Sequence, residues 1–539
     1  MNDRFPRFLT LSILAATALV GAGGCDDTTT TTNSTSSASA GGSGSGSTTG
    51  ATMTTTSAST SGTGGAPPTD CIPTEGMAIP AECGAFIAEG GTGNGQQGAP
   101  AGAFSTVLPG APKRIYVCGD ATSSLVGSVS IPGGTSIFGG FDCRTWTYTA
   151  ATTKVKLVSD ANVPALVIAG PGDSTVSHVD IVAVDATTDG GSSMGVIASE
   201  VNLVLDQVSV TAGAGKSGTP GMSAPPTNMN EGADGMNGQA ACAGTTTNGG
   251  PQVDQMCNGV IASSGGQGGG GEVGKGNNGS PGKSGTAGQG GVGQPQNGQW
   301  GCSVGATGGG GTNGSPGAPG PNGAAGADKG MLSIAGFIPS VAGDGGPGAP
   351  GQGGGGGGGS KGSSSCGAIG VTGPGAGGGS GGAGGCGGDG GKGGQGGGAS
   401  FALVSIGATV TIKSSTLTAG SGGKGGDGGV SQPGAQGGNG GSSGSVPVLG
   451  AVQAACDGGD GGFGGRGGGG GGGRGGHSAA IVFTTTPPAL DAASMVVSGT
   501  AGAGGTGQGN GADPAQNGVD GAKCAVMNFG GATETCTVQ

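Results

Sequence analysis

The chain has 539 residues, of which 145 are glycine; aromatic side chains make up 3%, charged ones 9%, and the formal net charge is -12. Ordinary domains carry roughly 7% glycine and about 25% charge. Much of this chain therefore lacks the apolar surface to offset an ordering cost of about 1–2 kcal/mol per residue, worst for glycine. The acidic balance excludes nucleic acid as a partner, because no basic patch exists to displace counterions from phosphates.

Residues 1–24 read as an export signal. Arg4 and Arg7 precede an apolar run from Phe8 to Val20, shorter than the roughly 20 residues a membrane span requires. Ala22, Gly23 and Gly24 then lead into Cys25. This stretch resembles the lipobox of bacterial lipoproteins, with Ala22 where that family prefers leucine. The resemblance implies lipidation at Cys25 and attachment to a membrane; a plain secretory signal is the alternative. Asp26 favours the inner membrane in enteric bacteria, a rule other bacteria do not follow, so the leaflet stays open. The expected location is the outer membrane or cell surface of a Gram-negative bacterium.

Residues 25–69 form a Thr/Ser/Gly tether that stays solvated. From 70 to 213 the composition turns ordinary. Short β-branched runs recur between Gly, Pro and Asp: RIYVC, GSVSI, TSIFGGF, KVKLVS, ALVIAG, HVDIVAV, GVIAS and VNLVLDQVSV. Helical periodicity is missing from them, and they predict strands.

A distant repeat organises the rest. SMGVIASEVNLVLDQVSVTAG (193–213) aligns without a gap on SFALVSIGATVTIKSSTLTAG (400–420). Val196 falls on Leu403, Ile197 on Val404, Leu203 on Val410, Leu205 on Ile412 and Val210 on Leu417. A looser third copy begins at 477–483 and ends at 495–505. A repeat of about 20 residues cannot bury its own apolar face, so stacked copies predict a solenoid, here a parallel β-helix. Two similar strands in a sandwich are the alternative. Residues 70–213 and 400–420 would be coils, 214–399 and 421–476 glycine-rich insertions leaving the same corner, and 477–539 a last coil and cap.

The glycine tracts have a period of three. Cys386, Asp389, Lys392 and Gln395 are separated by glycine pairs, as are Lys424, Asp427 and Val430, and Asp457, Asp460, Phe463 and Arg466. A left-handed threefold extended helix would place these side chains on one edge and leave two glycine edges to pack by backbone hydrogen bonds; disorder is the alternative. Glycine triplets at Gly314, Gly317, Gly320, Gly323 and Gly326 look collagen-like, but 29 prolines is far below the 15–20% that collagen needs.

Thirteen cysteines leave an even twelve once Cys25 is set aside: Cys71, Cys83, Cys118, Cys143, Cys242, Cys257, Cys302, Cys366, Cys386, Cys456, Cys524 and Cys536. In an exported chain they predict disulfides, with the pairing left open.

Chemical motifs are weak. TAGAGKSG (211–218) lacks the first glycine of a phosphate loop, because Val210 stands there. The G-x-S-x-G matches around Ser380 and Ser442 lie in glycine runs, without the strand-to-helix turn of a nucleophile elbow. His178 and His477 are the only histidines, too few for a histidine acid–base pair. GGCGGD (384–389) and GGKGGD (422–427) begin like a calcium nonapeptide, but Gly391 and Gly429 occupy its apolar position. No cofactor or metal site is expected. Carbohydrate-active β-helices use clustered carboxylates and basic residues, whereas Asp120, Asp142, Arg144, Asp180, Asp185 and Asp206 are scattered in sequence.

IPGGTSIFGGFDCRTW (131–146) resembles the pectin-lyase-like β-helix proteins of Gram-negative bacteria, and the resemblance covers 110–212, 400–420 and the third copy. The glycine tracts at 214–399 and 421–476 resemble the PGRS class of G-G-x repeats. Together these resemblances imply a surface protein more than a reaction. The expected fold is all-β, a right-handed parallel β-helix with glycine-rich insertions. The expected function is that of a lipid-anchored surface protein, structural or adhesive and not an enzyme, whose partners are the membrane and extracellular polysaccharide or other surface proteins. A carbohydrate-binding or carbohydrate-cleaving β-helix is the alternative.

Overall fold

The computed structural model describes residues 71–537 except 121, 150–153, 285, 305–307, 365, 367–370, 447–451 and 511–514. Cys25 and the tether lie outside the described residues.

The β-branched runs form three sheets built mainly from parallel strands. Sheet one contains Val129–Pro132, Leu166–Ala169, Ser193–Ser199, Ser400–Ile406, Ser478–Phe483 and Lys523–Asn528, with Thr535–Thr537 added antiparallel at its end. Sheet two contains Ala85–Ala88, Arg114–Cys118, Ser136–Phe141, Asp173–Ser177, Asn202–Asp206, Thr409–Lys413 and Ala489–Leu490, extended by a hairpin of Thr92–Gln96 and Ala99–Ala101. Sheet three contains Ser124–Val126, Val155–Val158, Val179–Ala183, Ser209–Ala212, Thr416–Ala419 and Met495–Val497.

From Val129 onward the chain visits sheets one, two and three in rotation, pairing each new strand beside the one before. The corners need left-handed backbone. Glu200 (φ 54°) and Gly407 (φ 61°) turn from sheet one to two; His178 (φ 54°), Gln207 (φ 54°) and Ser414 (φ 45°) turn from two to three. Gln207 thus splits VNLVLDQVSV, read from sequence as one run, into two strands. Asp173–Ser177 escaped the sequence reading because Val176 is its one apolar residue, although Ser174 and Ser177 are buried with it.

The repeat register is the one the alignment gives. Val196 pairs with Leu403 and Ile197 with Val404, Leu203 with Val410 and Leu205 with Ile412, and Val210 with Leu417. Alternate side chains point inward, so Leu203, Leu205, Val210, Val410, Ile412 and Leu417 share one core. Burying each contributes roughly 1.5–3 kcal/mol. Sheet one is covered on its other face too: Ile197, Phe401, Val404, Val482 and Met527 pack under Phe337 and Phe529. That accounts for its unbroken apolar strands.

The connection from sheet three to sheet one is where the glycine tracts leave, at 213–399, 420–477 and 498–522. Disorder does not describe their ordered parts. They form one lattice of extended segments joined by backbone hydrogen bonds that recur every third residue. Residues 353–359 are seven consecutive glycines. Their N–H groups reach three segments: Gly354 and Gly357 donate to Gly382 and Gly379, Gly355 and Gly358 to Thr312 and Gly309, Gly356 and Gly359 to Ser280 and Asn277, at 2.7–2.9 Å. Their carbonyls accept from three more, through Gly266 and Gly269, Cys456 and Gly459, and Gly288 and Gly291. A second seven-glycine run, 467–473, is equally buried. It donates to 426–432, 343–346 and Gln516, and accepts from 391–394, 323–326 and 505–508.

Triplet composition therefore tracks position in the lattice. Runs of glycine alone lie at its centre, where every edge meets a backbone. G-G-x runs lie nearer its surface, and Asp389, Lys392, Lys424, Asp457, Asp460, Phe463 and Arg466 face solvent. The collagen-like stretch is an outermost segment: Gly314, Gly317, Gly320, Gly323 and Gly326 each donate inward at 2.8 Å. Pro316, Pro319 and Pro321 fall between those glycines and have no N–H to leave unpaired. Pro347 and Pro350 continue the phase of Gly353, Gly356 and Gly359, beyond the point where the partner segment ends at Lys283.

All twelve cysteines pair: Cys71–Cys83, Cys118–Cys143, Cys242–Cys366, Cys257–Cys386, Cys302–Cys456 and Cys524–Cys536. Three of these bridges lie in the lattice, and Cys302–Cys456 joins the first insertion to the second. So many disulfides fit an oxidising compartment outside the cytoplasm.

Candidate functional site

Sheet two builds one polar cluster at its corner with sheet three. His178, buried, places Nδ1 2.6 Å from Tyr148 Oη and 2.7 Å from Ser177 Oγ, while Nε2 lies 2.7 Å from Gln207 Oε1. Gln207 Oε1 accepts, so the network assigns the proton to Nε2 and makes Nδ1 the acceptor. Burial holds the His178 pKa below the ordinary histidine value and pushes Tyr148 up to about 12. The neighbouring hollow, about 180 Å³, is lined by Ile72, Pro73, Phe138, Tyr148, Thr175, Ser177 and Asp206. Both ring nitrogens are committed to fixing the corner, which leaves no poised base.

The acidic candidates do not converge. Asp142 accepts from the N–H groups of Arg144 and Thr145 at 3.0 Å and from Thr145 Oγ1 at 2.9 Å. Those bonds, led by the Thr145 N–H, lower its pKa. Asp120 is spent the same way on Thr122 and Ser123, and Asp185 accepts from Ala214 N–H at 2.6 Å. Asp180 lies on sheet three opposite Lys156 and Ser209, and Asp206 on sheet two. The other motifs are absorbed by the lattice. In TAGAGKSG the N–H groups of Gly215, Lys216 and Gly218 bond Ser421, Gly191 and Lys424 at 2.8–2.9 Å, so they are not free for a phosphate. Ser380 is buried with its Oγ accepting from Met236 N–H at 2.7 Å; Ser442 donates its N–H to Asn237 Oδ1.

A cleft of about 500 Å³ that the sequence did not reveal lies where the lattice meets sheet one, beside Ala327, Lys329, Met331, Pro339, Arg474 and Glu534. Two of its charged side chains, Arg474 and Lys329, are held by neighbouring groups, although Arg474 Nε is buried without a partner. Arg474 pairs with Glu534 and donates to Ala327 O at 2.7 Å. Lys329 Nζ donates to the carbonyls of Phe529 (2.6 Å) and Gly531 and stands 4.5 Å above the Phe529 ring. Behind it, buried His477 accepts from Ala522 N–H at 3.1 Å through Nδ1, and Nε2 lies 3.0 Å from Lys329 O; burial lowers its pKa. These groups clamp the hairpin of Met331–Ser333 and Gly336–Ile338 onto sheet one. Among the described residues no group of three His, Cys, Asp or Glu side chains could hold a metal ion, and no helix is long and apolar enough to cross a membrane.

The lattice rim remains as the chemically distinctive surface. It displays single side chains at threefold spacing, including the Lys424–Asp427 pair at 2.8 Å and exposed Phe463, Val430 and Met222. Comparison with protein-family models, curated proteins and solved structures gives no match for the chain.

Proposed function

We propose that the chain is an exported surface protein held to a membrane through Cys25, with a structural or adhesive role rather than a catalytic one. Its three rotating sheets are read as a right-handed parallel β-helix and its glycine lattice as a rigid display body projecting from one corner. One observation carries the reading. The lattice interior is mainly glycine backbone with few larger side chains, and most of the larger side chains diverge on the rim instead of converging on a point. Catalysis needs groups aimed together at one reacting atom, whereas adhesion needs a stiff surface with repeated contacts, which a disulfide-stapled lattice supplies.

Cys25→Ser should move the full-length protein from the membrane to the soluble fraction, because the lipid supplies the membrane affinity. Unchanged membrane association would refute the anchor. Purified oxidised protein incubated with surface polysaccharides should retain them without shortening them. New reducing ends or unsaturated sugar ends would overturn the non-catalytic reading in favour of a carbohydrate-cleaving β-helix.

A further inference from the structure

The lattice contains a slot shaped for one more strand. Segment 264–271 lies between two others: Gly266 and Gly269 donate to Gly354 O and Gly357 O, and Gly381 and Gly378 donate to Gly266 O and Gly269 O, all at 2.8 Å. Its glycines are required by contact, because a Cβ on Gly265 or Gly268 would overlap the carbonyl oxygen of Gly381 or Gly378. The hairpin of Val253–Cys257 and Val260–Gly265 ends this strand, and Cys257–Cys386 pins its tip.

The two flanking segments continue past that tip. On one, Gly384 N–H is taken by Ser263 Oγ at 2.9 Å and Gly393 N–H by Asp344 Oδ1 at 2.9 Å. Between them, in the same phase, the N–H groups of Gly387 and Gly390 have no acceptor among the described residues, and both glycines are partly exposed. On the other segment, the carbonyls of Gly345 and Gly348 continue the phase of Gly354 and Gly357 and likewise receive no donor. The Lys392–Asp344 pair (2.9 Å) closes the far end. From Cys386 to Lys392 the slot is about 19 Å long at roughly 3.1 Å per residue.

We infer that this slot binds an extended polypeptide with glycine at every third residue. The bound chain would donate to Gly348 O and Gly345 O and accept from Gly387 and Gly390, repeating the bonds that hold 264–271. Glycine is demanded at the edge facing 387–390 for the reason Gly265 and Gly268 show; the next position, that of Gly266 and Gly269, must supply the N–H donor and excludes proline, and the third, that of exposed Gln267, faces outward. This partner class does not depend on the membrane anchor.

The test uses the full oxidised protein and a synthetic end-blocked peptide, GSPGAPGPNGAAG, the sequence of residues 314–326. A control peptide has the same composition with its glycines moved out of the three-residue phase. Amide hydrogen exchange resolved by fragmentation mass spectrometry should show Gly387 and Gly390 slowed about tenfold or more by the peptide, with Gly388 and Gly391, already bonded within the lattice, unchanged. Asp389 shares the edge of Cys386 and Lys392, so Asp389→Trp should fill the slot and abolish the effect. Slow exchange at Gly388 and Gly391 in that variant would show its lattice intact. No slowing with the triplet peptide, equal slowing with the control, or undiminished slowing in an intact Asp389→Trp lattice would overturn the inference.

Discussion

Gly357→Ala tests whether the lattice holds itself together by backbone approach. The new Cβ would overlap the carbonyl oxygen of Cys456 and crowd Asp457 O, so the chains must part. The bonds that hold the two segments together there are Cys456 N–H to Gly358 O (3.1 Å) and Gly459 N–H to Gly355 O (2.8 Å), with Gly357 N–H to Gly379 O (2.8 Å) beside them. Leaving two of them unmade in a buried site costs roughly 2–6 kcal/mol at about 1–3 kcal/mol each. Alanine's smaller unfolded-state entropy returns about 0.4–1 kcal/mol. The net expectation is a loss of roughly 2–5 kcal/mol. Gly301→Ala is the control, since no heavy atom lies within 4 Å of its Cβ position; it should be neutral or slightly stabilising. Denaturant unfolding of the oxidised proteins, followed by circular dichroism, reads both. Equal midpoints for Gly357→Ala and wild type would refute close backbone packing.

Leu205→Asp or Ile412→Asp buries an unpaired carboxylate in the shared core and should abolish soluble, cooperatively melting protein, read by expression and calorimetry. Replacing Cys302 and Cys456 together by serine frees a 154-residue separation and should lower stability by up to about 5 kcal/mol in the chain-entropy account, read by denaturant midpoint. Deleting 214–399 should leave a less stable protein rather than a merely shortened one, because 421–476 loses bonds such as Gly426 N–H to Gln395 O; an unchanged melting temperature would show the insertion dispensable. Acid should destabilise the fold. The carboxyls of Asp344, held down first by Gly393 N–H, and Asp427, held down first by Lys424, have depressed pKa values. Their contribution is complete above the ordinary carboxylate pKa and is lost as pH falls through the depressed values. The buried neutral His178 and His477 add a loss that begins as pH drops below the ordinary histidine pKa near 6.5. Melting temperature measured from pH 7 to 3 should fall throughout that range, and a flat profile would contradict both.

The sequence alone determined the all-β character, the register of 193–213 on 400–420 and the threefold phase of the glycine tracts. Each follows from local periodicity: apolar residues at every second position, or side chains at every third. That the two seven-glycine runs form the lattice interior, with another backbone at every edge, is not read from the sequence and is seen only in the hydrogen-bond lattice. What only the tertiary structure decided is which segments become neighbours. Glycine edges are chemically identical, so nothing in 353–359 names 277–283, 309–312 or 379–382 as its partners. That choice comes from where the corner of the three sheets releases and recovers the chain. The same holds for Cys302–Cys456 and the Lys329–Arg474 clamp, whose partners lie more than a hundred residues apart and are brought together only by the way the insertions fold back on one another.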